Sequence, residues 1–470
     1  MLVHGYHLGV DDAAIYVPAI KQAADPALYP FGGEFFLSHA RLSLFPNLVG
    51  GSARLLRCPT DLAIFAWHVI GVFLLLWAAW SLARACFLNP RARWAAVALL
   101  AATLSVPVAG TALVVMDPYL TARSLSTPAT LFAVACYVSN RPKRALAWLA
   151  VAGLVHPQMC GYGAVFIACL AAGRRWRAAA PAPVSLAAVP TLFDFRPATG
   201  PAREALLART YFFVYNWAWY EWAGVFAPLA LLWWFGRATL KGATPAFRQL
   251  ARALVPFGLA FTAAGIALSS SARFEGLARL QPMRAFHLLY AIFFVLLGGV
   301  VGEYLLKTAV WRWAALFIPL ALGMGLLQVE AFPFSPHVEL PGIRGRNPWT
   351  SAFFWIRENT PKDAVFALDP NYMRIAGEDQ HGFRAVAERS VLADNVKDSG
   401  AVSLFPGLAD HWESQVQATT GWDHFQAADF ERLAKQFGVG WILVRSPAYP
   451  DLTCPYRNAG LAVCRIGAVR

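Results

Sequence analysis

The amino-acid sequence predicts a polytopic α-helical membrane protein with a small C-terminal α/β domain, for three reasons. First, 58% of its 470 residues are hydrophobic and only 14% are charged, whereas a soluble domain carries roughly 25% charged residues. Second, long apolar segments fill residues 61–332. Third, basic and acidic residues are sorted between alternate polar breaks of that stretch. This composition favours an integral membrane protein.

The sorting of charges predicts an orientation. Five short breaks contain fifteen Lys or Arg and no Asp or Glu: residues 84–93, 140–144, 174–177, 237–252 and 307–312. The alternate breaks contain most of the acidic residues before residue 333: Asp11, Asp12, Asp25, Glu34, Asp117, Asp194, Glu204, Glu221 and Glu275. Because Lys and Arg in short loops stay in the cytoplasm, we expect a multi-pass protein of the inner cell membrane. The net charge of +13 then reflects topology and anionic headgroups, and we expect no nucleic-acid partner.

The chain divides by composition into a first extracytoplasmic loop (1–60), a transmembrane bundle (61–332) and an extracytoplasmic α/β domain (333–470). The apolar segments predict about ten spans: 62–83, 94–115, 119–139, 145–157, 159–173, 178–193, 221–236, 253–271, 283–306 and 311–332. Several are short for a hydrocarbon core of ~30 Å and could be re-entrant. An even count places the N-terminus outside the cytoplasm. We expect the native reading frame to start upstream, with one more transmembrane helix ending near His4.

The extracytoplasmic loop at 195–222 ends in a dense aromatic run. Eight of its last twelve residues are aromatic: Tyr211, Phe212, Phe213, Tyr215, Trp217, Trp219, Tyr220 and Trp222. Since Tyr and Trp favour the headgroup level, the run predicts an interfacial helix that leads into the next span. It could line a path for a lipid chain or simply form an aromatic belt.

The sequence after Pro333 has the mixed character of a folded soluble domain. Asn347 followed by Pro348 predicts a helix start. Val365–Leu368 and Trp441–Val444 are short apolar runs typical of buried strands. Residues 429–437 have a helical pattern that ends at Gly438. These elements predict a small α/β domain.

The seven cysteines lack CxxC and metal-ligand spacing, so a zinc site is not expected. Cys454 and Cys464 both lie in the extracytoplasmic domain. Their spacing suits a disulfide that closes a loop or hairpin, provided that this compartment is a periplasm. The sequence leaves open whether that bond forms.

The adjacent carboxylates Asp11 and Asp12 are the sharpest candidate for chemistry. Adjacent carboxylates repel one another, so one could be held neutral or both could bind a cation. A helix follows them, and capping would explain one of the two acids but not both. His4 or His7 could join them around a divalent cation such as Mg²⁺ or Mn²⁺.

Further polar groups lie where a bilayer makes them costly. Arg123, His156 and Arg284 lie at the edges of predicted spans, with His287 and Arg279 beside Arg284. Such groups often face a substrate path, and the guanidinium fork suits phosphate. Alternatively, Arg123 and Arg284 could snorkel at the extracytoplasmic interface or pair with Asp117 and Glu275. His39 is a further candidate for a site that faces the membrane.

Motifs of soluble nucleotide enzymes and hydrolases are absent from the sequence: it has no GxxxxGK[ST], no GxGxxG after a strand, no HExxH and no GxSxG. Instead, the spans, the acidic pair Asp11-Asp12 and the C-terminal domain together resemble the GT-C superfamily of membrane glycosyltransferases. Two segments carry the likeness into the C-terminal domain: Trp355-Ile-Arg-Glu-Asn-Thr-Pro-Lys-Asp-Ala-Val-Phe and Lys435-Gln-Phe-Gly-Val-Gly-Trp-Ile-Leu-Val. More narrowly, Gly5-Tyr-His-Leu-Gly-Val-Asp-Asp and Gln281-Pro-Met-Arg-Ala-Phe-His resemble a group of bacterial membrane proteins.

This resemblance implies a GT-C-like bundle and a sugar donor linked to polyprenyl phosphate, which enters from the lipid. It implies that Asp12 or Asp11 deprotonates the acceptor as a general base. Arg284, with Arg123 or Arg279 in reserve, would neutralise the leaving phosphate. His39 and His156 would complete the substrate site. The superfamily does not imply a fixed metal requirement.

Two other classes of function fit the same composition. A transporter or flippase would place Asp11, Arg123 and Arg284 along a solute path, although these charges lie near the extracytoplasmic edge and not in mid-span. A non-catalytic assembly or sensor protein would use the C-terminal domain to bind a partner. Substituting both Asp11 and Asp12 with Asn would leave the phenotype of such a protein unchanged.

Overall fold

The computed structural model describes residues 1–175, 198–343, 347–375, 378–379, 381–446 and 452–466. Its α-helices are α1 Ala13–Ala24, α2 Glu34–Ala40, α3 Phe45–Leu56, α4 Thr60–Cys86, α5 Pro90–Ala102, α6 Arg123–Val138, α7 Pro142–Val155, α8 Pro157–Arg175, α9 Gly200–Leu207, α10 Trp219–Arg237, α11 Pro245–Ser269, α12 Glu275–Ala278, α13 Ala285–Val301, α14 Val310–Ala331, α15 Pro348–Asn359, α16 Phe383–Ala387, α17 Asp398–Leu404, α18 Ala409–Thr419 and α19 Ala427–Phe437. The strands are β1 Val365–Ala367, β2 Ser390–Val391, β3 Trp441–Arg445, β4 Thr453–Arg457 and β5 Leu461–Arg465.

Four of the described helical segments are long and apolar enough to cross a membrane. They are Thr60–Cys86, Pro245–Ser269, Ala272–Leu306 and Val310–Ala331. Pro157–Gly173 is apolar but shorter. Helices α6, α7 and α10 overlap three further predicted spans, while the predicted span at 178–193 lies outside the described residues. The count of ten spans therefore stays a prediction, and membrane association rests on the four long helices.

The predicted span at 94–115 is wrong as a continuous helix, because α5 ends at Ala102. The residues after it form irregular turns within the bundle, and the amide of Met116 donates to the carbonyl of Leu104 at 2.8 Å. Pro107 cannot donate a backbone hydrogen bond. Gly110 lies under the indole of Trp217, where a Cβ would come within 2.4 Å of the ring. This irregular segment carries Asp117 and Tyr119 to one end of the bundle.

The aromatic run at 211–222 does not form the predicted interfacial helix. It contains two 3₁₀ turns, Thr210–Phe212 and Val214–Asn216, and then enters α10 at Trp219. Phe213 and Trp217 are buried, whereas Trp219 remains 79% exposed. The adjacent rings of Phe212 and Phe213 are both buried, a pattern that one amphipathic helix lying on a surface would not give.

The C-terminal domain has the predicted α/β character. Its five-stranded sheet has the order β2-β1-β3-β5-β4, with parallel pairing among the first three strands and antiparallel pairing among the last three. Asn347 caps α15 as predicted, because its side chain accepts from the amide of Trp349 at 2.8 Å. The predicted strands at β1 and β3 and the end of α19 at Gly438 are confirmed. Cys454 and Cys464 form a disulfide across the β4–β5 hairpin.

The first segment of the chain packs directly on the C-terminal domain. Tyr6 and Val338 form a parallel bridge, and the amide of Gly382 donates to the carbonyl of Gly9 at 2.7 Å. Gly9 has φ +79°, and a Cβ there would lie 2.8 Å from the Cβ of Ala385, so a side chain would push the two segments apart. One hydrophobic core joins Val10 and Ile20 of the first segment with residues of α15, α16 and the sheet. The two regions that the composition separates are thus one packed unit.

Candidate functional site

The acidic pair lies at the start of α1, in a backbone conformation that exposes both carboxylates to other elements. Asp11 has φ +46°, a left-handed conformation that Asp tolerates better than most residues. Asp12 occupies the N-cap position of α1, but its side chain makes no capping hydrogen bond. Helix capping therefore does not explain either carboxylate.

Both carboxylate oxygens of Asp11 have partners from distant parts of the chain. Oδ2 accepts a hydrogen bond from the hydroxyl of Tyr119 at 2.9 Å. Oδ1 forms an ion pair with the ammonium of Lys397 from the C-terminal domain. The Asp11 side chain is nevertheless 47% exposed, whereas that of Lys397 is 11% exposed. Asp11 is thus the more exposed of the two acids, since the side chain of Asp12 is 29% exposed.

Arg123, at the first position of α6, joins Asp12 to a third acid. Its Nη2 lies 2.9 Å from Oδ2 of Asp12 and 2.9 Å from Oδ2 of Asp117. Thr121 also donates to Asp117 at 3.1 Å. The pairing of Arg123 with Asp117 that the sequence offered as an alternative is confirmed, but Asp12 shares the guanidinium.

The charges around Asp12 favour its ionised form. Burial by itself would raise the pKa of Asp12, but the positive charges of Arg123, Lys397 and Arg284 outweigh it and hold that pKa below its ordinary value. For Asp117 the balance is reversed: deeper burial raises its pKa, although Arg123 opposes the effect. Asp12 is therefore an anion at neutral pH and a weak proton acceptor while Arg123 is in place.

Two histidines connect the acidic pair to an apolar cavity. The hydroxyl of Tyr16, one turn after Asp12, lies 3.0 Å from Nε2 of His39. The rings of His39 and His156 are 6.5 Å apart. Burial lowers the pKa of His39 to about 4, although the charge of Asp12 opposes the effect. His39 is consequently neutral at pH 7 and can exchange a hydrogen bond with Tyr16 without adding charge.

The cavity beside these histidines has a volume of about 640 Å³. Its polar wall includes Tyr16, His39, His156, Gln158, Tyr162 and Arg279, and its apolar wall includes Phe261, Ala264, Leu268, Leu404 and Phe405. Phe261, Ala264 and Leu268 belong to α11, one of the four long apolar helices. The cavity therefore runs from a membrane-length helix towards the charged cluster.

Arg279 and Arg284 lie in or beside a loop that hydrogen bonds hold against α8. The hydroxyl of Tyr162 donates to the carbonyls of Leu280 and Gln281 at 3.0 and 2.8 Å, which ties this loop to α8. Arg279 lines the cavity. Arg284 acts electrostatically on both Asp12 and His39, and its buried Nε has no hydrogen-bond partner.

The predicted alternative pairing of Arg284 with Glu275 is not observed, because the carboxylate of Glu275 binds Arg203 instead, with Oε2 2.9 Å from Nε. His287 is buried in α13, and its Nδ1 has no hydrogen-bond partner. Of the two arginines offered an acidic partner by the sequence, only Arg123 takes it. The guanidinium of Arg284 therefore keeps a donor available.

His4 and His7 do not join the acidic pair. His4 Nε2 lies 2.8 Å from the carbonyl oxygen of Asp117, and His7 Nδ1 lies 3.3 Å from Oε1 of Glu339. Among the described residues, no group of three or more His, Cys, Asp or Glu is arranged to hold a metal ion. The Mg²⁺ or Mn²⁺ ion considered from the sequence stays an expectation.

Sequence reasoning missed two members of this cluster, Lys397 and Tyr119. Each contacts Asp11 across a long stretch of chain, with separations of 386 and 108 residues. Lys397 belongs to an ordinary polar stretch, and Tyr119 lay inside a predicted span. Neither residue carries a local pattern that would have marked it.

Comparison with protein families finds a match in the C-terminal domain. Residues 347–399 match the family described as "Domain of unknown function (DUF6798)". The matched segment begins at the cap of α15 and ends just after Lys397, so it includes the residue that contacts Asp11. No curated protein matches the chain.

Proposed function

We propose that this protein is a GT-C-like glycosyltransferase that moves a sugar from a polyprenyl phosphate to an extracytoplasmic or lipid acceptor. The observation that carries the proposal is the continuity between the cavity and the charged cluster. Apolar side chains of α11 line one wall, while Tyr16 and His39, which contact each other near Asp12, line another. A ligand with a long apolar chain and an anionic head suits such a site.

The cations near the cavity suit the phosphate of such a donor. Arg279 lines the cavity, and Arg284 keeps a buried guanidinium nitrogen without a partner. A guanidinium can bind phosphate through two parallel hydrogen bonds. Arg123 is already engaged by Asp12 and Asp117, so in this proposal it positions Asp12 and does not meet the phosphate.

The transfer step needs one proton acceptor and one cation. The acceptor hydroxyl attacks the anomeric carbon, the bond from that carbon to the phosphate oxygen breaks, and the lipid phosphate leaves with the electron pair. The hydroxyl proton passes to a carboxylate. We assign that role to Asp11, because its side chain is 47% exposed while Asp12 is held by Arg123. Arg284 stabilises the charge that develops on the leaving phosphate.

The orientation in this proposal is that of a multi-pass protein of the inner membrane, with the site and the C-terminal domain outside the cytoplasm. Hydrogen bonds between the polar segments that carry the Lys and Arg residues support this orientation. The amide of Leu88 donates to the carbonyl of Gly242 at 2.9 Å, and the amide of Lys241 donates to the hydroxyl of Tyr304 at 2.6 Å. Three segments that carry or adjoin basic breaks therefore share one end of the bundle, as cytoplasmic loops would.

The test is transfer by the purified, membrane-reconstituted protein. Wild type is incubated with radiolabelled polyprenyl-phosphate sugars and a membrane extract, in parallel with a variant that combines Asp11→Asn with Asp12→Asn. Asp25→Asn is the matched control, since Asp25 is an acid of the same segment whose exposed carboxylate pairs with Lys362. We expect labelled product from wild type and from the control only. Absence of transfer from every donor would overturn the proposal, and transfer by the double variant would remove the assigned base.

A further inference from the structure

The C-terminal domain reaches the site through one short stretch of chain around α17. Lys397, directly before this helix, pairs with Asp11 and lies 3.9 Å from Oδ1 of Asp12. Leu404 and Phe405, at the other end of α17, line the cavity. One seven-residue helix therefore places a cation on the acidic pair and an apolar rim on the proposed lipid path.

Contacts from two directions hold this stretch in place. The guanidinium of Arg384 binds the carboxylate of Asp398, with Nη1 2.8 Å from Oδ1. Arg209, from the segment before α10, donates to the carbonyl of Val396 and the hydroxyl of Ser399. Charge-assisted hydrogen bonds of this kind fix the geometry of the groups that they join. These contacts hold the backbone on both sides of Lys397, and they therefore fix the position of its ammonium beside Asp11.

The acidic pair needs this cation for a simple electrostatic reason. Asp11, Asp12 and Asp117 lie close together, and Arg123 contacts only the last two. Neighbouring like charges in a partly buried site push one carboxyl towards its neutral form, whereas an opposite charge within ~4–6 Å favours ionisation. Lys397 is the second cation in ion-pair contact with the acids of this cluster within the described chain.

We infer that Lys397 is a positioning residue of the site, through which the C-terminal domain places a positive charge against both acids, holding Asp11 in an ion pair and keeping Asp12 ionised. The inference deepens the proposed function and rests on it for its catalytic consequence, because the carboxylate that Lys397 holds is the proton acceptor assigned to the transfer step. Titratable and charged groups of every neighbouring element act on the pair: Tyr16 of α1, His39 of α2, Asp117 and Tyr119 of the irregular segment, Arg123 of α6, Arg284 before α13 and Lys397 before α17, with Tyr211 acting on Lys397. Of these groups of the described chain, Lys397 alone comes from the C-terminal domain.

The experiment measures the ionisation of the pair directly. The purified full chain is treated with a water-soluble carbodiimide and an amine across a pH series, and modification of the peptide containing Asp11 and Asp12 is quantified by mass spectrometry. A carbodiimide reacts through the protonated carboxyl, so the pH midpoint of labelling reports ionisation. Wild type is compared with Lys397→Met, Lys397→Arg and Lys362→Met. Lys362→Met is the matched control, because Lys362 pairs with Asp25 between the same two regions at 2.7 Å, on the surface.

We expect Lys397→Met to move the labelling midpoint upwards by roughly one pH unit or more, as loss of a close opposite charge requires. Lys397→Arg and Lys362→Met should match wild type. If Lys397→Met aggregates, Lys397→Gln is measured in its place, because it is neutral and still donates a hydrogen bond. An unchanged midpoint in the neutral variant would overturn the inference, and so would an equal shift in Lys362→Met.

The rate of sugar transfer gives a second readout that separates this inference from the proposed function. In a transferase, the acidic limb of the pH–rate profile should move upwards in Lys397→Met by the same interval as the labelling midpoint, and Lys397→Arg should restore it. If wild type transfers no sugar while the labelling shift is present, the proposed function falls and the role of Lys397 stands. If transfer occurs but its acidic limb does not move in Lys397→Met, the role of Lys397 is refuted and the transferase remains.

Discussion

The ammonium of Lys21 lies 2.7 Å from the carboxylate of Asp61, and this pair ties the first segment to the start of the first long apolar helix. The Lys21 side chain is 1% exposed, and its nitrogen also lies 2.8 Å from Glu388. Arg357 completes the network, with contacts of 2.7 Å to Asp61 and 3.0 Å to Glu388. Two cations and two anions thus balance one another where α1, α4, α15 and the end of α16 meet.

Replacing Lys21 with Met should destabilise the protein strongly. The substitution leaves Asp61 and Glu388 buried with one cation between them, and breaking a buried pair costs about 3–5 kcal/mol. We expect a clear drop in the thermal unfolding midpoint in detergent. Lys362→Met, which removes an exposed pair with Asp25, should cost about 1 kcal/mol or less. Equal midpoints for the two variants would contradict the assigned role of the network.

Single substitutions should separate the roles of the two acids. Asp11→Asn removes the assigned proton acceptor, so we expect kcat to fall by about 10²–10⁴-fold. Asp12→Asn retains an oxygen for Arg123 but loses the ion pair, so we expect a smaller loss together with a lower unfolding midpoint. The measurement is transfer kinetics and thermal unfolding of both variants. A larger kinetic loss in Asp12→Asn would exchange the two roles.

Local signals in the sequence identified much of the fold and part of the site. Asn347 and Gly438 were predicted because a cap or a left-handed residue acts within a few positions of itself. Asp11 and Asp12 stood out because adjacent carboxylates repel one another and helix capping accounts for only one of them. Lys397 could not be predicted, since it meets Asp11 only through the packing of the C-terminal domain on the first segment. The cavity was equally hidden, because α1, α2, α8, α11 and α17 must all be placed before it exists.

Neutralising Arg284 should affect the chemical step more than donor binding. Its charge acts on Asp12 and His39, and electrostatic stabilisation of a leaving group is worth about 10²–10³-fold in kcat. We expect Arg284→Met to lower kcat by that factor and Arg284→Lys to recover part of it. Arg273→Met is the control, because Arg273 is exposed in the preceding turn. A change confined to KM would assign Arg284 to donor binding only.

The buried carboxyl of Asp394 should leave a signature in the pH dependence of stability. Burial and the charge of Asp398 raise the pKa of Asp394 to about 6 from an ordinary value of 3.8. Because the folded form holds the proton more tightly, stability gained from this group appears as pH falls through 6 and is complete below 3.8. It amounts to up to about 3 kcal/mol.

Asp394→Asn keeps an oxygen for the amide of Val396, which donates to Asp394 at 2.7 Å, and removes the titration. The unfolding free energy of wild type minus that of the variant should therefore increase as the pH is lowered from 7 to 4. A difference that is flat over this interval would show that Asp394 does not titrate there.

A bulky side chain in the cavity should discriminate between donors by chain length. Ala264 lines the cavity on α11, whereas Ala263 next to it is exposed and lies outside the lining. Tryptophan at position 264 fills space that the proposed lipid chain needs, so Ala264→Trp should raise KM for a long polyprenyl donor more than for a short-chain analogue. Ala263→Trp adds the same ring to the outer face of the helix and should leave both KM values unchanged. If Ala264→Trp left the ratio of the two KM values at its wild-type level, the lipid chain would have to follow another path, because no chain that crosses this wall could avoid the new ring.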